Sequence, residues 1–268
     1  MTRMTSNSFL WMSLIYCSNL SLLLGIPMSY PVLWSLAVEE HFYLIWPTAV
    51  HRISERKLIA VAGGVILLAP VFRAICHLHA AKTNFVGAGC GYYTWNAADG
   101  LALGALFSLA VREFHSNRER VLQMAAGCLV AAVLLTAVGY PFGITTRHTT
   151  LGEALQVTPW NLAFTALLGA FLLIGTSSWK ALVTPEILLF FGRISYGLYL
   201  YHLLVFHAYD RLAARFVSRF LASLSSWESL WLRFAIAGSA AIGISYLSRR
   251  YFEEPFLRLK QRFTPAVQ

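Results

Sequence analysis

The stretch VLQMAAGCLVAAVLLTAVG, Val121–Gly139, contains no aspartate, glutamate, lysine or arginine. A helix needs about 20 mostly apolar residues to cross the hydrocarbon of a bilayer, and this run meets that need almost unaided. Comparable stretches lie on both sides of it, at roughly 9–25, 32–50, 58–76, 93–111, 160–178, 187–207 and 230–248. The reading is therefore an all-α, polytopic transmembrane bundle of about eight membrane helices. It is expected to be a single domain over residues 1–268, with a basic tail from about 249 to 268.

Composition agrees. Of the 268 residues 57% are hydrophobic and 12% charged, with a mean hydropathy of +0.60; a soluble domain carries roughly 25% charged residues. Pro27, Pro31, Pro141, Pro159 and Pro185 fall near segment ends, where proline is expected. The net charge of +9 does not mark a nucleic-acid binder. The cations are short clusters between apolar segments, and no nucleic-acid-binding motif accompanies them. Arg52, Arg56 and Lys57, then Arg112, Arg118 and Arg120, then Lys180, then Arg249, Arg250, Arg258, Lys260 and Arg262 occupy alternate gaps and the tail. The intervening first, third and fifth gaps hold Lys82 and Arg147. The positive-inside rule then puts both termini in the cytoplasm. The seventh gap breaks the alternation with Arg211, Arg215 and Arg219, whose spacing predicts an amphipathic helix lying in the interface.

Arg3 and the apolar run after it raise a signal-peptide reading, but Ser18 and Asn19 interrupt the run and no A-x-A site follows. A retained first membrane helix is expected. Cys17, Cys76, Cys90 and Cys128 form no C-x-x-C pattern. They leave a disulfide at Cys90 open and give no metal site.

Ionisable groups inside spanning helices are costly and mark function or partnership. In WSLAVEEHFY, Trp34–Tyr43, the residues Ser35, Glu39 and Tyr43 are spaced to share one helix face, with Glu40 and His41 pointing elsewhere. A carboxylate between two hydroxyls can bind a sugar hydroxyl or act as a base; an interfacial glutamate in an aromatic belt with Trp34 and Trp46 fits equally well. In SYGLYLYH, Ser195–His202, Ser195, Tyr199 and His202 share a face; interhelical hydrogen bonding by tyrosines is the alternative. In DGLALG, Asp99–Gly104, Asp99 is an N-cap candidate and Gly100 and Gly104 form a GxxxG pair. At 1.5 Å per residue, Glu39, Asp99 and His202 each lie about 8–9 Å from the same, outer, face.

The run LWSLAVEEHFYLIWP, Leu33–Pro47, resembles the acyltransferase-3 family of membrane-bound O-acyltransferases. GRISYGLYLYHLLV, Gly192–Val205, is similar to that family's later S-Y-x-x-Y-L-x-H segment. DGLALG resembles its D-G-x-x-x-G stretch, and YFEEPF, Tyr251–Phe256, its closing E-x-P-F. The resemblance implies transfer of an acyl group, commonly acetyl from acetyl-CoA, to a hydroxyl of a carbohydrate, a cell-envelope glycan or a lipid-linked sugar. It implies Glu39 and His202 as catalytic residues, and Trp34, Ser35, Tyr43, Asp99 and Tyr199 as substrate-binding residues. No bound cofactor is expected, acyl-CoA being a donor substrate, and no acyl-CoA-binding residue is assigned. The implied setting is a bacterial inner membrane, with the lipid bilayer and a glycan acceptor as partners. The family's first helices carry an arginine and, about ten residues on, a histidine; here the first histidine is His41. The chain thus reads as the family's C-terminal eight helices. The competing reading is a non-catalytic or truncated member acting in membrane binding or translocation. An unrelated transporter is disfavoured, because matching Gly/Pro-broken halves are not evident.

Overall fold

The structure, a computed structural model, describes residues 7–83, 91–113, 117–175, 186–217 and 224–263. Its ordered elements are helical, and five of the described helical stretches are long and apolar enough to cross a membrane: Glu55–Ala80, Arg118–Phe142, Thr150–Leu173, Glu186–Phe216 and Ser226–Leu259. The chain divides into two compact units, Met1–Val183 and Thr184–Gln268.

The first unit opens with α1 (Asn7–Leu14), followed by a 3-10 helix over Ser18–Leu24. The sequence suggests one helix over 9–25; the chain instead breaks at Tyr16, which adopts a left-handed φ of 55°. The polar residues explain the break. Ser18, Asn19 and Ser21 are at most 1% exposed. The Ser18 hydroxyl donates to the Leu33 carbonyl at 2.8 Å, and the Asn19 amide donates to the Thr94 hydroxyl at 2.9 Å. A continuous α-helix would turn these groups in several directions, whereas the tighter 3-10 turn holds them on one side.

Helix α2 (Leu33–Arg52) and the 29-residue α3 (Glu55–Thr83) follow. The segment expected at 93–111 is likewise divided, into α4 (Thr94–Ala97) and α5 (Asp99–Glu113). With 15 residues, α5 is about 22 Å long at 1.5 Å per residue, less than the roughly 30 Å hydrocarbon thickness. Then come α6 (Arg118–Gly139), α7 (Thr150–Leu155) and α8 (Thr158–Gly175). Pro159 sits in the first turn of α8, where its missing N–H costs nothing. Cys76 is disulfide-bonded and Cys17 and Cys128 are free thiols; Cys90 lies outside the described residues.

Small residues let α6 and α8 approach. A Cβ added at Gly169 would stand 2.7 Å from the Ala125 Cβ and 2.9 Å from the Phe107 ring. The expected GxxxG pair divides its work. Gly100 lies against the Asn161 side chain of α8, whereas a Cβ at Gly104 would meet open space.

The second unit is built on α9 (Glu186–Phe216) and α10 (Ser226–Ser248). At 31 residues, α9 absorbs the segment expected to lie in the interface: Arg211 and Arg215 occupy its last turns, and Arg219 lies outside the described residues. Ile194 and Gly197 of α9 are buried, as are Ala237, Ala241 and Ser245 of α10. A capping box of Ser225 and Glu228 starts α10. After α10 a π-helical turn, Arg249–Glu253, leads into α11 (Glu254–Phe263). There Phe256, Leu257 and Leu259 are exposed beside Arg258.

Gly169→Ala should lower the thermal unfolding midpoint of the detergent-solubilised protein, at an overpacking cost of about 1–3 kcal/mol. Adding Ala125→Gly should recover most of the loss. Equal losses in the single and double variants would mean that α6 and α8 do not meet there.

Candidate functional site

In α2 the positions Trp34, Ala37, Val38 and His41 recur at helical spacing on one face. Ala37 and Val38 are at most 4% exposed, so this face packs inward. The Trp34 ring lies 5.1 Å from that of Tyr92. The His41 Nδ1 atom is 2.7 Å from the Thr94 hydroxyl, which also accepts from the Asn19 amide. Ser35 is half-buried, its hydroxyl donating to the Val32 carbonyl at 3.2 Å.

The other predicted members of this helix face outward. Glu39 is exposed and Tyr43 is 60% exposed. Tyr43 borders a cleft of about 370 Å³ with Phe42, Trp46, Gly104, Ser108 and Arg112. Phe42 and Trp46 stack there at 5.5 Å, giving a flat aromatic wall.

Asp99 opens α5 at only 4% exposure. Its Oδ2 accepts from the Arg73 guanidinium at 2.9 Å. Arg73 is 3% exposed and donates also to the carbonyls of Ala154, at 2.9 Å, and Asn96. One guanidinium thus ties α3 to α4, α5 and α7. Sequence reasoning gave Asp99 a substrate-binding role and passed over Arg73, although a single arginine inside the apolar run Val71–Ala74 was the available signal. One oxygen of the Asp99 carboxylate, Oδ2, is engaged with Arg73.

In the second unit, Tyr199 and His202 lie one turn apart, with ring centroids 5.9 Å apart. His202 Nδ1 is 2.6 Å from the Tyr199 carbonyl and 3.2 Å from that of Leu198. Carbonyl oxygens only accept, so Nδ1 carries the hydrogen and the lone pair of the neutral ring sits at Nε2. That is the tautomer a proton acceptor needs, and the half-buried ring is held in it by its own helix. Ser195 uses its hydroxyl locally, on the Gly192 carbonyl.

The E-x-P-F glutamate, Glu253, pairs with Arg249 at 3.2 Å. Its Oε1 lies 3.4 Å from where a Cβ at Gly197 would stand. Two sequence motifs, joined here through Gly197 and Glu253, therefore meet at one helix crossing. Among the described residues no cluster of three or more histidines, cysteines or carboxylates could hold a metal ion.

A family model described as an acyltransferase domain matches residues 4–250. The peptidoglycan O-acetyltransferase OatA of Listeria monocytogenes is 26% identical over 194 residues, which is 66% of this chain and 29% of that protein. The chain therefore spans less than a third of that relative's length. No solved structure matches.

Removing one partner of a buried ion pair strands the other. Asp99→Ala should destabilise the protein by about 3–5 kcal/mol. Asp99→Asn, which keeps an acceptor for Arg73, should cost clearly less; thermal unfolding in detergent separates the two. If the two variants melt alike, the ion pair is not what secures α5.

Proposed function

Because this chain belongs to the acyltransferase family whose model covers nearly all of it, we propose that it transfers an acetyl group from acetyl-CoA to a hydroxyl of a cell-envelope carbohydrate. The membership carries this reading. The name of the relative, a peptidoglycan O-acetyltransferase, supports acetyl as the group and a glycan as the acceptor.

The base is His202, acting through Nε2. It takes the proton of the acceptor hydroxyl while that oxygen bonds to the acyl carbon. The bond from the acyl carbon to the donor sulfur breaks, and the departing thiolate becomes coenzyme A thiol by gaining a proton. The hydrogen bond from Nδ1 to Tyr199 favours this role, since it leaves the lone pair at the other nitrogen. Tyr199, 44% exposed next to that ring, contributes its hydroxyl to acceptor binding. In the first unit, the exposed carboxylate of Glu39 orients a sugar hydroxyl. Trp34 and Tyr43 offer ring faces of the kind on which sugars stack, and Ser35 supports the same stretch of α2.

The setting is the bacterial inner membrane with both termini in the cytoplasm. The disulfide at Cys76, near the end of α3 that the charge alternation puts outside, supports this orientation, because disulfides persist in oxidising compartments and not in the cytosol.

The purified chain in lipid nanodiscs should release coenzyme A from acetyl-CoA in the presence of peptidoglycan fragments. His202→Ala should lower kcat by at least about 100-fold, within the range for losing a general base, with the melting temperature unchanged. Glu39→Gln should act mainly on KM for the glycan. A folded wild-type protein that releases no coenzyme A would overturn the acyltransferase reading.

A further inference from the structure

Helix α2 packs inward over its first half only. Ala37 and Val38 are its buried residues, and from Phe42 to Arg52 every side chain is half-buried or exposed. Along that second half runs the cleft of about 370 Å³. Phe42, Trp46 and Val50, one turn apart on α2, form one wall. Gly104, Ser108 and Arg112, one turn apart on α5, form the other. Both helices belong to the first unit, so the cleft lies wholly within it.

Gly104 sets the width of the cleft. A Cβ there would meet no described atom within 4 Å, so no neighbouring helix requires glycine at this position. Glycine weakens a helix interior relative to alanine; what it leaves here is room between the aromatic wall and α5. The chemistry changes along the cleft. Leu101, Ala105 and Leu109, with the stacked rings of Phe42 and Trp46, make its length apolar. Its end is basic. Arg112 is exposed and meets Glu55 at 3.3 Å, an exposed pair of the kind that contributes little. Arg52, Arg56 and Lys57 are exposed on the turn that carries Glu55, so four cations stand against the carboxylates of Glu55 and Glu113, a local net charge of +2. The rise from Leu101 to Arg112 is about 16 Å at 1.5 Å per residue. That matches the hydrocarbon of one leaflet, half of about 30 Å.

We propose that the cleft holds one anionic phospholipid, with an acyl chain lying past Gly104 between α2 and α5 and the phosphate at Arg112. A guanidinium fork matches phosphate oxygens in pairs. The Arg112 end is the one that the charge alternation assigns to the cytoplasm, where the leaflet is rich in anionic lipids and basic sites between membrane helices take their headgroups. A hydrocarbon chain alone would satisfy the apolar wall, and a phosphate alone would satisfy Arg112. A phospholipid satisfies both at the spacing the cleft gives. Bound there, it fills the gap beside Gly104 and joins the second half of α2 to α5. The inference stands apart from the acyltransferase reading, since it uses neither acyl donor nor acceptor.

Native mass spectrometry of the full chain in detergent, titrated with phosphatidylglycerol or with phosphatidylcholine of identical chains, reads both parts of the site. The wild type should retain one phosphatidylglycerol at least about tenfold more tightly than phosphatidylcholine. Arg112→Gln should abolish that preference while still binding both lipids. Gly104→Leu, whose Cβ meets no described atom, should weaken both lipids by about tenfold or more. Inorganic phosphate should displace neither. A second measurement needs no variant: phosphatidylglycerol with a photoreactive group on its chain should label residues 42–50 and 101–112 of the wild type. Equal retention of the two lipids by the wild type would overturn the proposal, as would an undiminished preference in folded Arg112→Gln. Unchanged binding in folded Gly104→Leu, or label confined to other segments, would put the lipid elsewhere and overturn it too. Displacement by inorganic phosphate as readily as by phosphatidylglycerol would mean a bare anion site, which also sinks it.

Discussion

A guanidinium enclosed by membrane helices must be answered on every side or it will not stay charged and buried. Arg73 is answered by a carboxylate and two backbone carbonyls, contributed by Asp99, Asn96 and Ala154. Each of these groups belongs to a different element, and α4 and α7, at 4 and 6 residues, are too short to be stable alone. Burying the ion pair costs several kcal/mol of desolvation, which the pair's attraction only roughly offsets. Its consequence is therefore specificity of arrangement: any packing that moves α4, α5 or α7 away from α3 leaves an unpaired charge in a low-dielectric interior.

Most of the membrane architecture was legible in the sequence because lipid imposes a simple requirement on long apolar runs. The segments at 58–76, 121–139, 187–207 and 230–248, and the described part of 160–178, lie on helices long and apolar enough to span. Of the other three, the segment at 32–50 lies on α2, which is not among those five helices, and the first and fourth break where polar residues found partners. Ser18 and Asn19 reach Leu33 and Thr94, and the first segment breaks at Tyr16 to let them. The fourth segment breaks before Asp99, at the point where Arg73 gathers the Asn96 carbonyl and the Asp99 carboxylate. Hydropathy counts apolar residues and is blind to such pairings, since they join residues as far apart as Asn19 and Thr94. Arg211 and Arg215 were misread for a related reason. Their spacing fits an interfacial helix, but it fits the projecting end of a long spanning helix equally well, and only the continuity of α9 decides.

The site was legible in its residue types and less so in its directions. Helical spacing correctly separated Glu39 and Tyr43 from His41, yet it could not say which face packs inward. Ala37 and Val38 decide that, and they put His41 inside and Glu39 outside. The tautomer of His202 was also beyond the sequence, because it depends on a backbone carbonyl three residues earlier and not on any neighbouring side chain.

These observations link the ion pair to the inward face of α2 within the first unit. Helix α4 is held at both ends by bonds that are not its own: its first residue, Thr94, by His41 and Asn19, and its third, Asn96, by Arg73. Four residues make less than one stable turn, so the position of the Thr94 hydroxyl depends on these anchors. A shift of α4 by even 1 Å would lengthen the 2.7 Å contact to His41 beyond a good hydrogen bond. The buried pair that adds little to stability fixes the short helix, and the short helix fixes the Thr94 hydroxyl that meets Asn19 and His41.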